Sequence, residues 1–201
     1  MTEALAEAAG LPVSRETYDR VEAYVRRLKD EAKRQNLISV LSVEHVWERH
    51  ILDSAQLLRF EPKAGASWLD VGSGAGLPGI VLACLGEGRV TMVEPRRLRA
   101  DFLRETVAAL GLNAAVECAK IERIAGRFDV ITGRAVAPLG KFFEMSRHLS
   151  TEKTVWVLPR GRSAQSELAE VRRAWQGVFH VKQSVTDAVS EIIVGTGVRP
   201  R

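Results

Sequence analysis

Residues 69–79, LDVGSGAGLPG, set an acid among closely spaced glycines, and two patterns overlap in them. Counted from Gly74, the run is G-A-G-L-P-G, the G-x-G-x-x-G of dinucleotide-binding turns, carried by Gly74, Gly76 and Gly79. Counted from Asp70, it is an acid followed by the alternating glycines Gly72, Gly74 and Gly76. Glycine permits positive φ and close approach of backbone to ligand, which both kinds of ligand exploit. Glu94, twenty residues beyond Gly74 at the end of VTMVE, has the spacing of a ribose-binding carboxylate in either case.

Asp70 separates the two. A carboxylate two positions before the first glycine is expected to face the region where a dinucleotide puts its pyrophosphate, and like charges at about 5 Å cost on the order of kilocalories in a partly desolvated cleft. S-adenosylmethionine brings a sulfonium and an ammonium there instead, and the same carboxylate attracts them. The loop amides and a helix N-terminus at Gly76 are then expected to serve that cofactor's carboxylate. The alternatives are a small NAD(P)-dependent oxidoreductase using Gly74, Gly76 and Gly79, and a non-catalytic RNA-binding protein of the same fold.

The rest of the chain narrows the kind of methyl transfer. After the fourth strand the sequence reads GRAVAPLG, without the Asp/Asn-Pro-Pro-aromatic motif of enzymes that attack exocyclic amines. Cytosine-C5 chemistry needs a thiolate, and Cys84 and Cys118 both read as buried structural cysteines. What remains is an acceptor that is already nucleophilic, such as guanine N7, where no proton is lost and catalysis rests on alignment and electrostatics.

These residues need a scaffold. Ser14 is placed to cap a helix whose face carries Tyr18, Val21, Val25, Leu28 and Ala32, and Ser42 to cap a second with Val46, His50, Ser54 and Leu57 on one side. From Ser67 onward, SWLDV, RVTMVE, AAVEC, FDVIT and TVWVL alternate with helical stretches, one of which bears Ala100, Leu103, Val107 and Leu110 and stops at Gly111. Such alternation implies a doubly wound parallel α/β sheet, and the closely spaced VFHVKQSV and EIIVGTGV imply a terminal antiparallel hairpin. The expected organisation is an N-terminal helical extension over 1–62 packed on a core domain over 63–201.

Composition bounds the possibilities. The 201 residues, 46% hydrophobic, suit one core. No apolar run reaches the roughly 18 residues of a membrane span, and MTEALAEAAG lacks the apolar segment of a signal peptide. Four scattered histidines and two cysteines form no metal spacing, so no metal is expected and a cytoplasmic location is. A net charge of +4 fits nucleic-acid binding without requiring it.

Four blocks in order, NLISVLSVEHVWERHILDSAQLL (36–58), LDVGSGAGLPGIVLA (69–83), FDVITGRAVAPL (128–139) and VLPRG (157–161), resemble the RsmG family, also called GidB, of bacterial 16S rRNA guanine-N7 methyltransferases. The resemblance implies a class I S-adenosylmethionine-dependent methyltransferase fold, Rossmann-like, with a mostly parallel seven-stranded sheet and an N-terminal helical extension. It implies S-adenosylmethionine as cofactor, a guanine of the 530 loop as acceptor, and 16S rRNA, the 30S subunit or its assembly intermediate as partner; the sequence leaves the oligomeric state open, with a monomer favoured. By position it implies cofactor contacts at Gly72, Leu77, Ile121, Glu122 and Arg134, beside Asp70, Gly74, Gly76 and Glu94. His50, Asp53 and Arg134 are candidate catalytic residues. Arg26, Lys33 and Arg34 on the first helix, with Arg134, Arg160 and Arg162, are candidate RNA contacts. Two positions depart from the family pattern: Gly133 stands where a serine is usual, and Pro159 interrupts the usual Leu-Lys-Gly, leaving Leu158-Pro159-Arg160-Gly161.

Overall fold

The computed structural model describes residues 1–39 and 43–201. The expected cap Ser42 lies outside them. Seven strands form one sheet: β1 (Trp68–Val71), β2 (Val90–Val93), β3 (Ala114–Glu117), β4 (Val130–Thr132), β5 (Val155–Gly161), β6 (Trp175–Gln183) and β7 (Glu191–Pro200). Their order is β3-β2-β1-β4-β5-β7-β6, with β7 antiparallel to both of its neighbours and all other pairs parallel. This is the class I methyltransferase arrangement, with the expected terminal hairpin. The open parallel order turns at β1 and β4, and ligands of such sheets sit beyond the carboxyl ends of the strands at that switch point.

Before the sheet come α1 (Thr2–Ala9) and α2 (Arg15–Glu31), then a composite helix, α3, over 47–60. Ser14 caps α2 as expected, its side chain accepting from the amide of Thr17 at 3.2 Å. Helix α1 is short and not singled out by the sequence, yet its Leu5, Ala8 and Ala9 are buried, and Arg59 of α3 holds its end by donating to the carbonyls of Ala8 and Glu7. Segment α3 opens as a π-helical stretch, Trp47–Leu52, continues through one α turn, Asp53–Ala55, and closes as a 3-10 run, Gln56–Phe60. A π-helical widening displaces side chains from the ordinary 3.6-residue spacing and is frequent at functional sites; here it bears His50.

Helices α4 (Gly79–Leu85), α5 (Arg97–Leu110), α6 (Leu139–Ser146) and α7 (Ala164–Val171) cover the two faces of the sheet. Gly111 ends α5 in the left-handed conformation, as anticipated. The buried face of α5 is Ala100, Phe102, Leu103 and Thr106, shifted from the expected stripe because Val107 and Leu110 lie at the rim.

Strand residues alternate faces. Trp68 joins the core formed with Val21, Tyr24, Leu28, Ile80 and Leu103, whereas Leu69 and Val71 join the core of Phe142, Phe143 and Trp156. That alternation turns Asp70 toward the same side as Trp68, beneath α4.

Candidate functional site

The glycine loop leaves β1 at Gly72 and enters α4 at Gly79. Gly72 has φ 68°, and a Cβ there would stand 2.9 Å from Val136; Gly76 has φ 94°, and a Cβ there would stand 2.5 Å from Ile80. Only glycine satisfies both the backbone and the packing at these positions.

Few of the loop's amides are left for a ligand. Gly72 and Ser73 donate to the Val93 carbonyl, Gly76 to the Ser73 carbonyl, Gly74 to Oε2 of Glu94 at 2.9 Å, and Gly79 to Oδ2 of Asp70 at 3.0 Å. A pyrophosphate site needs such amides free. The expectation that loop amides and a helix start at Gly76 receive a carboxylate is therefore corrected: α4 starts at Gly79 and its first amide is taken by Asp70.

Asp70 also departs from its expected pose. It is fully buried, so it does not line the cleft; it ties the end of β1 to the start of α4. Its second oxygen, Oδ1, finds no hydrogen-bond partner among the described residues. Burial pushes its carboxyl up to about 7, against the opposing pull of the nearby Ser73 hydroxyl, which donates to the Asp70 main-chain carbonyl, and of the hydrogen bond from the Gly79 amide. Glu94 is buried as well, with Oε2 on the Gly74 amide and Oε1 on the Arg96 amide at 2.8 Å. A carboxylate offers about four acceptor sites, so capacity remains on Glu94 for a sugar hydroxyl.

Tyr24 is a residue that sequence reasoning does not single out. Its hydroxyl donates to the Ala75 carbonyl at 2.9 Å across the interface between α2 and the loop, and the ring is completely buried. The helical spacing of α2 signals an apolar face, but a partner 51 residues away in the chain has no local signature. Leu77 packs into the core behind the loop. Ile121 is buried and Glu122 exposed on the 3-10 turn Ile121–Arg123 that follows β3.

Beyond β4 the candidate catalytic residues meet. Nη1 of Arg134 lies 3.1 Å from His50 Nδ1, 3.5 Å from Asp53 Oδ2 and 3.4 Å from the Arg49 carbonyl. Asp53 Oδ1 in turn accepts from Gln56 Nε2 at 2.9 Å and Thr186 Oγ1 at 3.3 Å. Burial first, and then the Arg134 charge, push His50 down to about 4, so its ring is neutral at pH 7. Burial raises Asp53, and Arg134 opposes that rise.

Arg134 continues into a cavity of about 670 Å³ lined also by Asp53, Val136, Pro138, Arg160, Glu167 and Glu191. Val136 faces both this cavity and Gly72, so cavity and glycine loop adjoin. Ala135, at φ 56°, is a strained non-glycine residue in the connecting loop. Gly133, the departure from the family serine, lies where a Cβ would stand 2.7 Å from the Phe142 ring, so the large aromatic occupies the space of the missing side chain.

The RNA candidates fare differently. Arg160 is corrected: only 5% of its side chain is exposed, its Nη1 donates to the Ala137 carbonyl at 2.7 Å, and its guanidinium lies 5.3 Å from the Phe142 ring centre. The ladder between β5 and β7 shifts register between Pro159 and Gly161, and that irregularity turns Arg160 inward. Arg162 is exposed. On α2 and the turn after it, Arg26, Lys33 and Arg34 are exposed, but each pairs locally, with Glu22, Asp30 and Glu31. Of the cysteines, Cys84 is buried and burial pushes its thiol up to about 12, whereas Cys118 is exposed at the end of edge strand β3, which corrects the reading of both as buried.

Similarity to known proteins follows the same lines. The family model described as GidB, rRNA small subunit methyltransferase G, matches residues 17–193. Ribosomal RNA small subunit methyltransferase G of Zymomonas mobilis is 43% identical over 198 residues, covering 94% of this chain and 90% of that protein. The protein of the same name from Sphingopyxis alaskensis is 48% identical over 187 residues, covering 92% and 80%. Among solved structures, a SAM-dependent methyltransferase from Aquifex aeolicus aligns with TM-score 0.61 at 17% identity, covering 84% of this chain and 98% of that one. A ribosomal protein L11 methylase from Lactobacillus delbrueckii subsp. bulgaricus aligns with TM-score 0.58 at 14% identity, covering 76% and 79%. At such identities the structures speak to the fold.

Proposed function

The chain belongs to the GidB family, rRNA small subunit methyltransferase G, and from that membership we propose that it methylates N7 of a guanine in the 530 loop of 16S rRNA. Its cofactor is S-adenosylmethionine. The observation that carries this reading is the occupancy of the glycine loop: with the amides of Gly72, Ser73, Gly74, Gly76 and Gly79 engaged internally, the loop offers little to a pyrophosphate. Glu94, buried against the loop on the Gly74 amide, sets an acid beside it that suits a cofactor bearing a sulfonium and an ammonium. Both points count against the oxidoreductase alternative.

The residues fit the cofactor. The left-handed glycines form the close-approach wall, Glu94 has acceptor capacity for the ribose, and the turn at Ile121 and Glu122 supplies backbone for the adenine. Asp70 is a positioning residue, since it holds the first amide of α4. When bound, the cofactor supplies an electrophilic methyl on sulfur, which the guanine N7 lone pair takes as the carbon–sulfur bond breaks with its electrons kept on sulfur. No proton leaves the base. The protein therefore has to align the acceptor, exclude water and accommodate positive charge passing to the purine. His50, neutral and in contact with Arg134, fits an orienting role; it braces Arg134 where the glycine loop meets the cavity.

The test is transfer of labelled methyl from S-adenosylmethionine to 30S subunits lacking the modification, with cleavage mapping of N7-methylguanosine. A single N7-methylguanosine in the 530 loop is the expected product. Label at another atom or helix would overturn the assignment, and binding of NADH in place of S-adenosylmethionine would overturn the cofactor.

A further inference from the structure

The cavity beyond β4 and β5 is lined by an acid and a base, Glu191 and Arg160, that form no ion pair with each other. Glu191 opens β7 and is the register partner of Gly161, next to the irregularity at Arg160. Arg160 has its nearest carboxylate at Glu167, 3.8 Å away, and its Nε and Nη2 find no partner among the described residues. Unpaired buried donors are costly, and they collect at sites completed by a ligand.

The other acids of the cavity are committed. Glu167 accepts from the Leu139 amide and the Ser163 hydroxyl, and Asp53 from Arg134, Gln56 and Thr186. Among the described residues the Glu191 carboxylate has only a long 3.4 Å hydrogen bond, from the side chain of Gln165. It keeps nearly all the acceptor capacity of a carboxylate, on the wall of a cavity that reaches the glycine loop through Val136.

Two adjacent donors on one edge of a base are what a free carboxylate recognises best. Guanine presents N1–H and N2–H side by side on its Watson–Crick edge; adenine presents a lone pair at N1, which a carboxylate repels. Resting on the guanine-N7 reading above, we propose that this cavity receives the acceptor base and that Glu191 reads its Watson–Crick edge, accepting from N1–H and N2–H. N7 lies on the other edge of the purine and stays free for attack. A base extruded from its stack is ordinarily read this way. The carboxylate also favours the reaction itself, because the purine becomes cationic on methylation and the negative charge stabilises that product-like state.

The experiment uses 30S particles assembled with 16S rRNA carrying either guanosine or inosine at the acceptor position; inosine lacks N2–H and retains N7. Wild-type protein should lose about ten- to a hundredfold in kcat/KM on inosine, the worth of the one hydrogen bond to a charged acceptor that the missing N2–H takes away. Glu191→Gln should lose a similar factor on guanosine and discriminate little between the two bases, with S-adenosylmethionine affinity by calorimetry and thermal unfolding unchanged. Glu191→Asp, which keeps the carboxylate, should be slower yet still prefer guanosine. A Glu191→Gln protein with the wild-type guanosine-to-inosine ratio overturns the proposal. Wild-type protein that makes no N7-methylguanosine overturns the function itself, and the two failures are told apart by that control.

Discussion

The Tyr24 hydroxyl donates to the Ala75 carbonyl at 2.9 Å from a ring with no exposed surface, so α2 braces the glycine loop through a buried hydrogen bond. The N-terminal helices thereby help to shape the loop to which cofactor binding is assigned. Tyr24→Phe keeps the packing and removes the bond, leaving one carbonyl unsatisfied at a cost of about 1–3 kcal/mol. Cofactor affinity measured by calorimetry should fall severalfold, with RNA affinity unchanged. Unchanged cofactor affinity would reduce Tyr24 to a packing residue.

Gly76→Ala is expected to be more damaging than its size suggests. Gly76 has φ 94° and an added Cβ would stand 2.5 Å from Ile80 and 3.0 Å from Leu103, so strain and overpacking combine. The expected cost is about 2–4 kcal/mol in urea unfolding, with loss of cofactor binding. Gly72→Asp should abolish cofactor binding too, because a Cβ there meets Val136 and a new charge enters the loop. A Gly76→Ala protein of native stability would contradict the geometry.

Much of this loop is legible in the sequence. The acid, the alternating glycines and Glu94 stand at diagnostic spacings, and the strand and helix alternation indicates the sheet. The direction of Asp70 is not legible, because it depends on which residues of β1 face which layer, and Trp68 and Leu69 are equally apolar. Arg160 misleads for a related reason: a register shift in β5 turns inward a cation that the local sequence places at a loop. The pairing of Arg26, Lys33 and Arg34 is visible in part, since Glu22, Asp30 and Glu31 lie three or four residues away.

Stability should depend on pH through two groups of opposite sign. Asp70 is raised in the fold from its ordinary 3.8 to about 7, so between those values the folded state binds the extra proton and stability falls as pH rises. His50 is lowered from 6.5 to about 4, so between those values the unfolded state binds the extra proton and stability rises with pH. The slopes oppose one another below about pH 6.5, and only the Asp70 decline continues toward pH 7. Asp70→Asn should remove that decline and leave the His50 rise, as followed by denaturant midpoints from about pH 4 to 8. A variant with the wild-type profile would show that Asp70 is not the group responsible.

Arg134→Ala is expected to lower methyl transfer on the order of 10²-fold by freeing both His50 and Asp53. The two effects have separate readouts. In an imidazole NMR titration the His50 midpoint should rise from about 4, since the Arg134 charge contributes to its depression after burial. Asp53 loses its ion pair, and its carboxyl should move further up. Activity that falls without any movement of His50 would separate catalysis from this cluster.

RNA affinity should fall with added salt, and the arginines responsible can be told apart by their partners. Arg26, Lys33 and Arg34 spend their charge on neighbouring acids, whereas the side chains of Arg96, Lys120 and Arg123 have no carboxylate partner among the described residues. These three are exposed at the carboxyl ends of β2 and β3, the edge to which the cofactor site is assigned. A cation already neutralised gains less from a phosphate, because the exchange of partners offsets much of the attraction. Replacing Arg96 or Arg123 by alanine should therefore reduce the slope of log affinity against log salt by about 0.7–0.9 for each phosphate no longer neutralised. Arg26→Ala should change it less. Equal slopes for both sets would show that local ion pairing does not govern which cations meet the RNA.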